Sequence, residues 1–473
     1  MELEFERCYR AVDSRDQRFD GWFYTAVTST GIYCKPSCPA ITPKRANVRF
    51  YPSAAAAQRA GFRACRRCRP DAAPGSPEWD VRADTVGRAM RLIGDGVVDR
   101  EGVPGLASRV GYTERHLHRM LVAEVGAGPL ALARAQRAQT ARILVETTDL
   151  GLAEIAFAAG FGSVRQFNDT IKEVYGGPPS SLREAKHRKA PEAGVVNLRL
   201  AYRPPLNAPA LLEFLADRAI PGIEEVVDGT YKRSLTLPHG PAEVELTPIP
   251  GHGSGAHVAA TLRLKDVRDL APAVARCRRL LDLDADPEAV DALLGADPAL
   301  AKTVEKEPGV RVPRAVDGFE TAVRAIVGQQ ISVSATRTLL GRIAKSAGTA
   351  GFPDAAAVAD LPDEAFPMPA ARRETIRGLA RAVVDGTVDL GLGADREELV
   401  QGLVALPGIG AWTAGYVAMR AAGDPDVFLP TDLAVRRGAK ALGLPDEPKA
   451  LEAHAAAWRP WRSYALIRLW RNA

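Results

Sequence analysis

The spacing of hydrophobic and polar positions changes along the chain. From about residue 84 to 186, apolar residues recur at intervals of three and four with glycines at the turns, a pattern that predicts short helices. From about 195 to 268, apolar and polar residues alternate in several short segments, which predicts a small antiparallel sheet. Beyond Leu270 the helical spacing returns. We therefore expect a multidomain protein, mainly α with α+β parts.

Length and composition narrow the class of protein. A chain of 473 residues is too long to fold around one ordinary hydrophobic core, and its length predicts about three or four domains. Its composition, 46% hydrophobic and 25% charged, is typical of soluble folded domains, and no apolar run approaches the roughly 20 residues of a membrane span. The start, MELEFERCYRAVD, resembles neither a secretory signal nor a transit peptide. We expect no membrane partner and a cytoplasmic location, at the nucleoid.

Positive charge and cysteine are concentrated in one window, from Cys34 to Pro70. The net charge of +5 alone is a weak sign of nucleic-acid binding, but this window has no acidic residue and suits a surface that faces phosphates. Four of the six cysteines lie in it, whereas Cys8 and Cys277 stand alone. In a reducing cytosol such a cluster indicates a metal site rather than disulfides. The window contains nine basic residues: Lys35, Lys44, Arg45, Arg49, Arg59, Arg63, Arg66, Arg67 and Arg69.

The cysteine spacing predicts a tetrahedral zinc site. Cys34 and Cys38 form one pair and Cys65 and Cys68 another, and two such pairs supply the four soft ligands that Zn²⁺ prefers. One interpretation is a purely structural zinc that stabilises a small domain. The other is chemical: four thiolates on one Zn²⁺ carry a net charge of −2, so their sulfurs are electron-rich and able to attack a methyl carbon.

The segment from Thr30 to Asp71, with TGIYCKPSC and ACRRCRPD, resembles the amino-terminal zinc domain of Ada-type methylphosphotriester-DNA methyltransferases, and the similarity extends over residues 1–78. The resemblance implies a small zinc α/β domain in which Cys34 irreversibly accepts a methyl group from a methylated DNA phosphate, with Cys38, Cys65 and Cys68 as further ligands. Spacing alone does not single out Cys34. Methylation would change the site from −2 to −1, and we hypothesise that the lost repulsion raises DNA affinity.

Two similar helical segments follow. GLASRVGYTERHLHRMLVAEVG turns at Gly111, and LAEIAFAAGFGSVRQFNDTIKEVYG turns at Gly160. A predicted helix at 129–148 lies between them and would span about 30 Å, close to one turn of duplex DNA. Residues 79–188 resemble an AraC-type double helix-turn-helix, which implies promoter binding and RNA polymerase as a partner.

That resemblance places recognition helices near Thr113–Glu124 and Ser163–Val174. Side chains on these helices have the donors and acceptors that DNA bases and phosphates require. Each is also compatible with a phosphate contact or solvated surface, so the module is predicted more firmly than its individual contacts. The candidate DNA-binding residues are Arg115, His116, His118, Arg119, Arg165, Gln166 and Asn168.

Basic and proline-containing residues at 186–194 predict an exposed linker. After the linker, the helical pattern gives way to the alternating pattern of strands.

In the carboxy-terminal helical part of the chain, LPGIG forms a glycine turn between two helical segments, and the amides of Gly408 and Gly410 are candidates to contact a DNA phosphate. Downstream, VFLPTD places Asp432 in an apolar setting. Many helical hairpins use glycine turns, so the two features count together rather than singly.

Residues 195–473, with FETAVRAIVGQQIS, LPGIGAWTAGYVAMR, DVFLPTD and RPWRSYALIRLW, resemble AlkA-type 3-methyladenine glycosylases of the helix-hairpin-helix GPD superfamily. The resemblance implies an antiparallel-sheet domain at 195–270 and an all-α glycosylase domain at 271–473. It makes Asp432 the catalytic carboxylate, although a helix N-cap is the alternative role. Relatives also hold a monovalent cation at the hairpin.

The same resemblance defines the base site. Strand-cutting relatives place a Schiff-base lysine where this chain has Trp412, so we expect a monofunctional hydrolase. Trp412, Tyr416 and Trp470 match an aromatic pocket whose faces would attract cationic bases, although core packing is the alternative for each. Gln330 matches the residue that fills the gap left by the flipped base, a position that is leucine in the best-known member.

Together these features predict a DNA repair and response protein that binds damaged and promoter double-stranded DNA, and we expect it to be a monomer. The rival hypothesis is a transcription regulator whose carboxy-terminal half is only a DNA-binding platform. Ada proteins usually carry a second methyltransferase with a Pro-Cys-His motif, and the only cysteine after residue 68 is Cys277. We therefore do not expect direct repair of O6-methylguanine.

Overall fold

The computed structural model describes residues 3–70, 85–183, 194–251 and 256–473. The chain divides into two compact units. Apart from Gly194, the linker expected at 186–194 lies outside the described residues. Within the described ranges, no helix combines the length and apolar character needed to cross a membrane. The first unit comprises Met1–Arg203, Leu237–Ala242 and Ile249–Ala275, and the second comprises Pro204–Thr236, Glu243–Pro248 and Arg276–Ala473.

The amino-terminal domain is a small sheet with two helices. The strand order is β3-β1-β2-β4; β1 pairs antiparallel with β2 and β3, whereas β2 and β4 are parallel. One face of the first helix buries Cys8, Ala11 and Val12 against Phe23. The elements are α1 (Phe5–Asp13), β1 (Tyr24–Val27), β2 (Ile32–Cys34), β3 (Val48–Tyr51), α2 (Ala54–Arg59) and β4 (Arg63–Ala64).

Six helices follow in the described residues up to 183, where the periodicity predicted short helices. Both predicted recognition helices are present, and each begins one residue after its predicted start. Thr113 and Ser163 are the N-caps, and their hydroxyls accept hydrogen bonds from the backbone N–H of His116 and Gln166. The helices are α3 (Thr85–Gly94), α4 (Val97–Val110), α5 (Glu114–Val125), α6 (Pro129–Thr147), α7 (Leu152–Ala158) and α8 (Val164–Tyr175).

The predicted antiparallel sheet contains five strands in the order β5-β9-β8-β7-β6. Sequence analysis missed β6 and the helix α9. The segment Glu224–Val227 lacks alternation, but Asp228 and Gly229 both have positive φ and form the tight turn that pairs β6 with β7. The elements are β5 (Val195–Ala201), α9 (Ala208–Asp217), β6 (Glu224–Val227), β7 (Thr230–Leu237), β8 (Gly240–Ile249) and β9 (His257–Leu264).

The carboxy-terminal part of the chain is helical and has two apolar cores. Phe319 and Leu403 belong to the first core, and Trp458 and Tyr464 belong to the second. Tyr416, on α18, packs against both cores, so α18 lies where they meet. The helices are α10 (Leu270–Leu280), α11 (Pro287–Gly295), α12 (Pro298–Lys306), α13 (Gly318–Val327), α14 (Val333–Ala347), α15 (Ala355–Asp360), α16 (Ala370–Val384), α17 (Arg396–Val404), α18 (Ala411–Arg420), α19 (Leu433–Ala441), α20 (Pro448–Ala455) and α21 (Arg462–Arg471).

Candidate functional site

The four clustered cysteines meet at the ends of two parallel strands. β2 ends at Cys34, β4 ends just before Cys65, and the pairing of Tyr33 with Ala64 brings the two ends side by side. Short turns then return Cys38 and Cys68 to the same place. The four Sγ atoms lie within 4.8 Å of one another, as ligands of one tetrahedral Zn²⁺ must. The structure therefore brings together all four predicted metal ligands.

The protonation chemistry of this cluster also fits a divalent cation. Hydrogen bonds between the thiols lower the pKa of Cys65, chiefly through Cys34, and raise the pKa of Cys34, chiefly through Cys38. Thiols that share hydrogen bonds in this way do not all ionise by themselves, and a bound cation is needed to hold four thiolates together. Burial raises the pKa of Cys8 to about 11 and that of Cys277 to about 12, so these two lone cysteines are unsuited to ligand or nucleophile roles.

Asp20 supports the loop between Cys34 and Cys38, and sequence analysis missed it. Its buried carboxylate accepts hydrogen bonds from the Ser37 backbone N–H at 3.0 Å and from the Ser37 hydroxyl at 2.7 Å. The same carboxylate pairs with Lys35 Nζ at 2.7 Å. One acidic side chain therefore holds the loop Cys34–Cys38 in place. An acidic residue 14 positions before Cys34 has no local sequence pattern that would indicate this role.

The basic window does not present all of its cations to solvent. Lys35 pairs with Asp20, Arg45 with Glu6 and Arg69 with Glu146, whereas Arg59 and Arg66 donate to the carbonyls of Gly126 and Tyr175. Several cations of this window are therefore engaged in contacts within the protein. Charge counting could not separate these residues, because their partners come from other segments of the first compact unit.

Two of these contacts join the zinc domain to the recognition helices. Ser53 Oγ donates to the carbonyl of Val125, the last residue of α5, at 2.8 Å. Arg66, between two of the clustered cysteines, donates through Nε to the carbonyl of Tyr175, the last residue of α8, at 3.1 Å. The zinc domain thus caps the carboxy-terminal ends of both helices.

The candidate DNA-reading side chains lie mostly on the exposed faces of α5 and α8. Leu117, Leu121 and Phe167 anchor the opposite faces in the core. His116 is half-buried and stacks on Tyr112, with ring centroids 5.0 Å apart, so it is partly a packing residue. The exposed candidates are Arg115, His118, Arg119, Arg165, Gln166 and Asn168.

The glycine turn Leu406–Gly410 joins α17 to α18. Gly408 has φ +87°, and a Cβ atom there would lie 2.1 Å from Thr375 Oγ1, so both conformation and space require glycine. Gly410 is the N-cap of α18 and has open space around its Cα, which leaves room for a phosphate near the helix N-terminus. This is the hairpin that the sequence predicted.

Asp432 is both a helix cap and the centre of a polar cluster. Its Oδ1 accepts from the backbone N–H of Val435 at 2.9 Å and from Trp470 Nε1 at 3.1 Å, and its Oδ2 accepts from Trp412 Nε1 at 2.8 Å. A carboxylate offers about four lone-pair positions, so one remains on Oδ2 for a further partner. The N-cap role and an available acceptor therefore coexist.

The three predicted pocket aromatics surround this carboxylate. Trp412 and Tyr416 stack with centroids 5.5 Å apart and an interplanar angle of 15°, and Tyr416 lies 6.1 Å from Trp470. All three rings are half-buried, so they are not simply core. The indole donors of Trp412 and Trp470 face Asp432, which a pure packing role would not require.

Gln330 lies in the turn between α13 and α14. It is exposed and has φ +59°, an uncommon conformation for a residue other than glycine. The preceding residue, Gln329, was missed by sequence analysis. Its side-chain Nε2 donates to the carbonyl of Gly408 at 3.2 Å and to Thr413 Oγ1 at 3.0 Å, which ties the Gln330 turn to the hairpin.

Four family models match successive parts of the chain. The metal binding domain of Ada matches residues 7–71 and a helix-turn-helix domain matches 106–185. The AlkA N-terminal domain matches 197–317, and the HhH-GPD superfamily of base excision DNA repair proteins matches 323–463. Together these models cover the zinc cluster, both recognition helices, the hairpin and Asp432.

Similar proteins combine the same parts. A Mycobacterium tuberculosis protein described as a probable bifunctional transcriptional activator/DNA repair enzyme AlkA is 53% identical over 99% of this chain and 97% of its own length. DNA-3-methyladenine glycosylase 2 of Escherichia coli is 35% identical over 57% of this chain and 95% of its own length. The structure of a 3-methyladenine DNA-glycosylase from Archaeoglobus fulgidus matches 58% of this chain and 97% of that protein, with a TM-score of 0.50 and 21% identity, and shares its fold. This chain belongs to the family of bifunctional transcriptional activator/DNA repair enzymes that join an Ada-type metal-binding domain and a helix-turn-helix to an AlkA-type glycosylase.

Proposed function

We propose that this chain repairs alkylated DNA by two reactions and regulates transcription. One reaction transfers a methyl group irreversibly from a DNA methylphosphotriester to Cys34, and the other excises alkylated bases by hydrolysis at Asp432. The observation that carries the proposal is that both reactive groups keep complete supporting sets: four sulfurs within 4.8 Å and a carboxylate that accepts from two indoles. Its partner is double-stranded DNA of the nucleoid, at damaged sites and at promoters.

Methyl transfer requires an electron-rich sulfur. Zn²⁺ bound by Cys34, Cys38, Cys65 and Cys68 would keep the four sulfurs ionised at neutral pH. Cys34 Sγ attacks the methyl carbon, a carbon–sulfur bond forms, the carbon–oxygen bond breaks, and the DNA phosphate leaves as an ordinary diester anion. Since the thioether formed is no longer an anion, the sulfur acts once. Asp20 contributes by holding the Cys34–Cys38 loop in place.

Base excision requires stabilisation of an oxocarbenium-like sugar. The flipped base lies against the rings of Trp412 and Tyr416, and the remaining lone pair of Asp432 Oδ2 faces the sugar or orients the attacking water. The glycosidic bond breaks with its electrons on the base, and water adds to the sugar. Trp412 supplies no amine for a Schiff base, which supports a monofunctional hydrolase without strand cleavage.

DNA contacts support both reactions. Gln330 fills the space left by the flipped base, and the amides around Gly408 and Gly410 hold a backbone phosphate. We assign promoter reading to α5 and α8, with Arg115, His118, Arg119, Arg165 and Gln166 as contacts to bases or phosphates. The protein acts as a monomer and recruits RNA polymerase. The working domains are residues 1–78, 79–188, 195–270 and 271–473.

Two measurements test the proposal. Wild-type protein is incubated with duplex DNA that contains a methylphosphotriester, and peptide mass spectrometry should find one added methyl group on Cys34. In parallel, duplexes with 3-methyladenine or 7-methylguanine should release the free base and leave an uncut abasic strand. A zinc-loaded protein that never gains a methyl group would have a purely structural metal, and promoter binding without base release would favour the regulator hypothesis.

A further inference from the structure

Two arginines, Arg218 and Arg420, lie beside the aromatic rings of Phe214 and Tyr416. The guanidinium carbon of Arg218 is 3.9 Å from the centroid of the Phe214 ring, and that of Arg420 is 4.9 Å from the same centroid. Arg420 is only 8% exposed. Among the residues that the structure describes, neither guanidinium has a carboxylate within ion-pair distance. A buried cation without a carboxylate is costly, and functional sites are one place where proteins retain such a cost.

Arg420 contacts Tyr416, one of the three aromatic residues of the proposed base site. Its Nη1 donates to the Tyr416 hydroxyl oxygen at 2.6 Å, and its guanidinium carbon lies 5.5 Å from the centroid of the Tyr416 ring. Its Nη2 donates weakly to the carbonyl of Arg314 at 3.4 Å, and its buried Nε has no hydrogen-bond partner within the described part of the chain. Because Tyr416 stacks on Trp412, the charge of Arg420 lies one ring away from where a flipped base would bind.

This placement changes Tyr416 in two ways. A phenol oxygen that accepts a hydrogen bond from a cation withdraws electron density from its ring, which weakens the attraction of that ring for a cationic base. The same hydrogen bond uses the oxygen as an acceptor, so the phenol proton is available to a different acceptor, such as a purine carbonyl. The first effect disfavours a cationic base, whereas the second favours any purine that carries a carbonyl acceptor, hypoxanthine and 7-methylguanine alike.

The charge also acts on the departing base. 3-Methyladenine and 7-methylguanine are cationic in DNA and leave as neutral molecules, whereas hypoxanthine is neutral and leaves with growing negative charge. A fixed cation nearby repels the first kind on binding and stabilises the second kind on departure. We infer that Arg420 is a specificity-determining residue that biases the base site against cationic alkylated bases and toward neutral damaged purines. This inference rests on the proposed glycosylase function.

The test compares one ratio in three full-length proteins. The ratio is kcat/KM for 7-methylguanine divided by kcat/KM for hypoxanthine, in duplexes of otherwise identical sequence. Arg420→Gln removes the charge and should raise this ratio about tenfold, the order of effect expected when a nearby unit charge is removed from a partly buried site. Arg420→Lys keeps the charge and should stay near the wild-type ratio. The separate values of kcat and KM distinguish the two effects. In Arg420→Gln, KM should fall for 7-methylguanine, whereas kcat should fall for hypoxanthine.

Other variants keep the inference falsifiable if Arg420→Gln does not fold. Tyr416→Phe removes the hydroxyl that Arg420 contacts and should shift the ratio in the same direction. Arg218→Gln removes a cation that contacts the ring and the carbonyl of Phe214 and interacts with Tyr416 only through space, so its shift should be smaller. An unchanged ratio in Arg420→Gln and Tyr416→Phe, or an equal shift in Arg420→Lys, would overturn the inference. Wild-type protein that excises neither base would instead overturn the proposed function itself.

Discussion

The two proposed reactive centres of this chain are assembled over very different distances. The thiolate centre takes its four ligands from two short segments, 34–38 and 65–68, which one parallel strand pair brings together. The carboxylate centre takes Trp412, Asp432 and Trp470 from the ends of three helices spread over 58 positions. The spacing of the cysteines in the sequence therefore reveals the thiolate centre but does not distinguish one cysteine from another. The carboxylate centre forms only through tertiary packing, which leaves Asp432 Oδ2 able to accept a further hydrogen bond.

The largest expected effect comes from removing the sulfur that we assign as the methyl acceptor. Cys34→Ala should abolish methyl transfer completely, because no other ligand is expected to act as the nucleophile, while base excision remains at the wild-type rate. Zinc content and peptide mass spectrometry are measured on the same samples. The matched control is Cys38→Ala. Both variants should lose zinc affinity, because each removes one of the four ligands. Methylation of any other cysteine in Cys34→Ala would show that the four sulfurs are chemically equivalent.

Asp432→Asn tests the other centre and keeps the fold. Asparagine caps helices about as well as aspartate, so α19 should remain stable, with an unfolding temperature close to that of wild type. Removal of the negative charge should lower single-turnover excision by about 10²- to 10⁴-fold. Methylation of Cys34 should be unchanged. If excision persisted, the polar cluster around Asp432 would have to be structural, and another group would have to stabilise the sugar cation.

The comparison also explains which features could be predicted from sequence. The starts of both recognition helices were predictable from Thr113 and Ser163, because a cap and its helix are neighbours in the chain. The zinc ligands were predictable for the same reason. Resemblance to known families, rather than spacing, pointed to Cys34 and Asp432.

Contacts between distant segments were not predictable. Asp20 lies 17 positions from Ser37, and Gln329 lies 79 positions from Gly408. Phe214 meets Arg420 across more than 200 positions. Their side chains have no local pattern that separates them from ordinary surface residues, since only the packed fold decides what they touch. The basic window illustrates the converse: charge counting found it, but tertiary contacts occupy several of its cations.

The two indole donors should contribute unequally to the carboxylate centre. Trp412 is the only donor to Asp432 Oδ2 among the hydrogen bonds of the described residues, whereas Oδ1 keeps the backbone N–H of Val435 when Trp470 is changed. A hydrogen bond to a charged group is worth about 1.5 to 3 kcal/mol, which corresponds to at least about tenfold in rate. Trp412→Phe should therefore slow excision more than Trp470→Phe, by about thirtyfold against about tenfold. Equal effects would mean that ring packing, rather than hydrogen bonding, dominates.

Gln329 should have the smallest effect, and one that depends on the form of the DNA. Gln329→Ala removes the two hydrogen bonds that tie the Gln330 turn to the hairpin, and we expect it to lower the free energy of unfolding by about 1 kcal/mol. Loss of the tie should reduce excision from duplex DNA about threefold to tenfold, since the wedge is less well placed, but leave excision from single strands unchanged because no gap must be filled. Gln330→Ala is the matched control: it should reduce duplex activity without changing stability. If Gln329→Ala reduced both duplex and single-strand activity equally, Gln329 would support the hairpin alone, and the wedge turn would be positioned by other contacts.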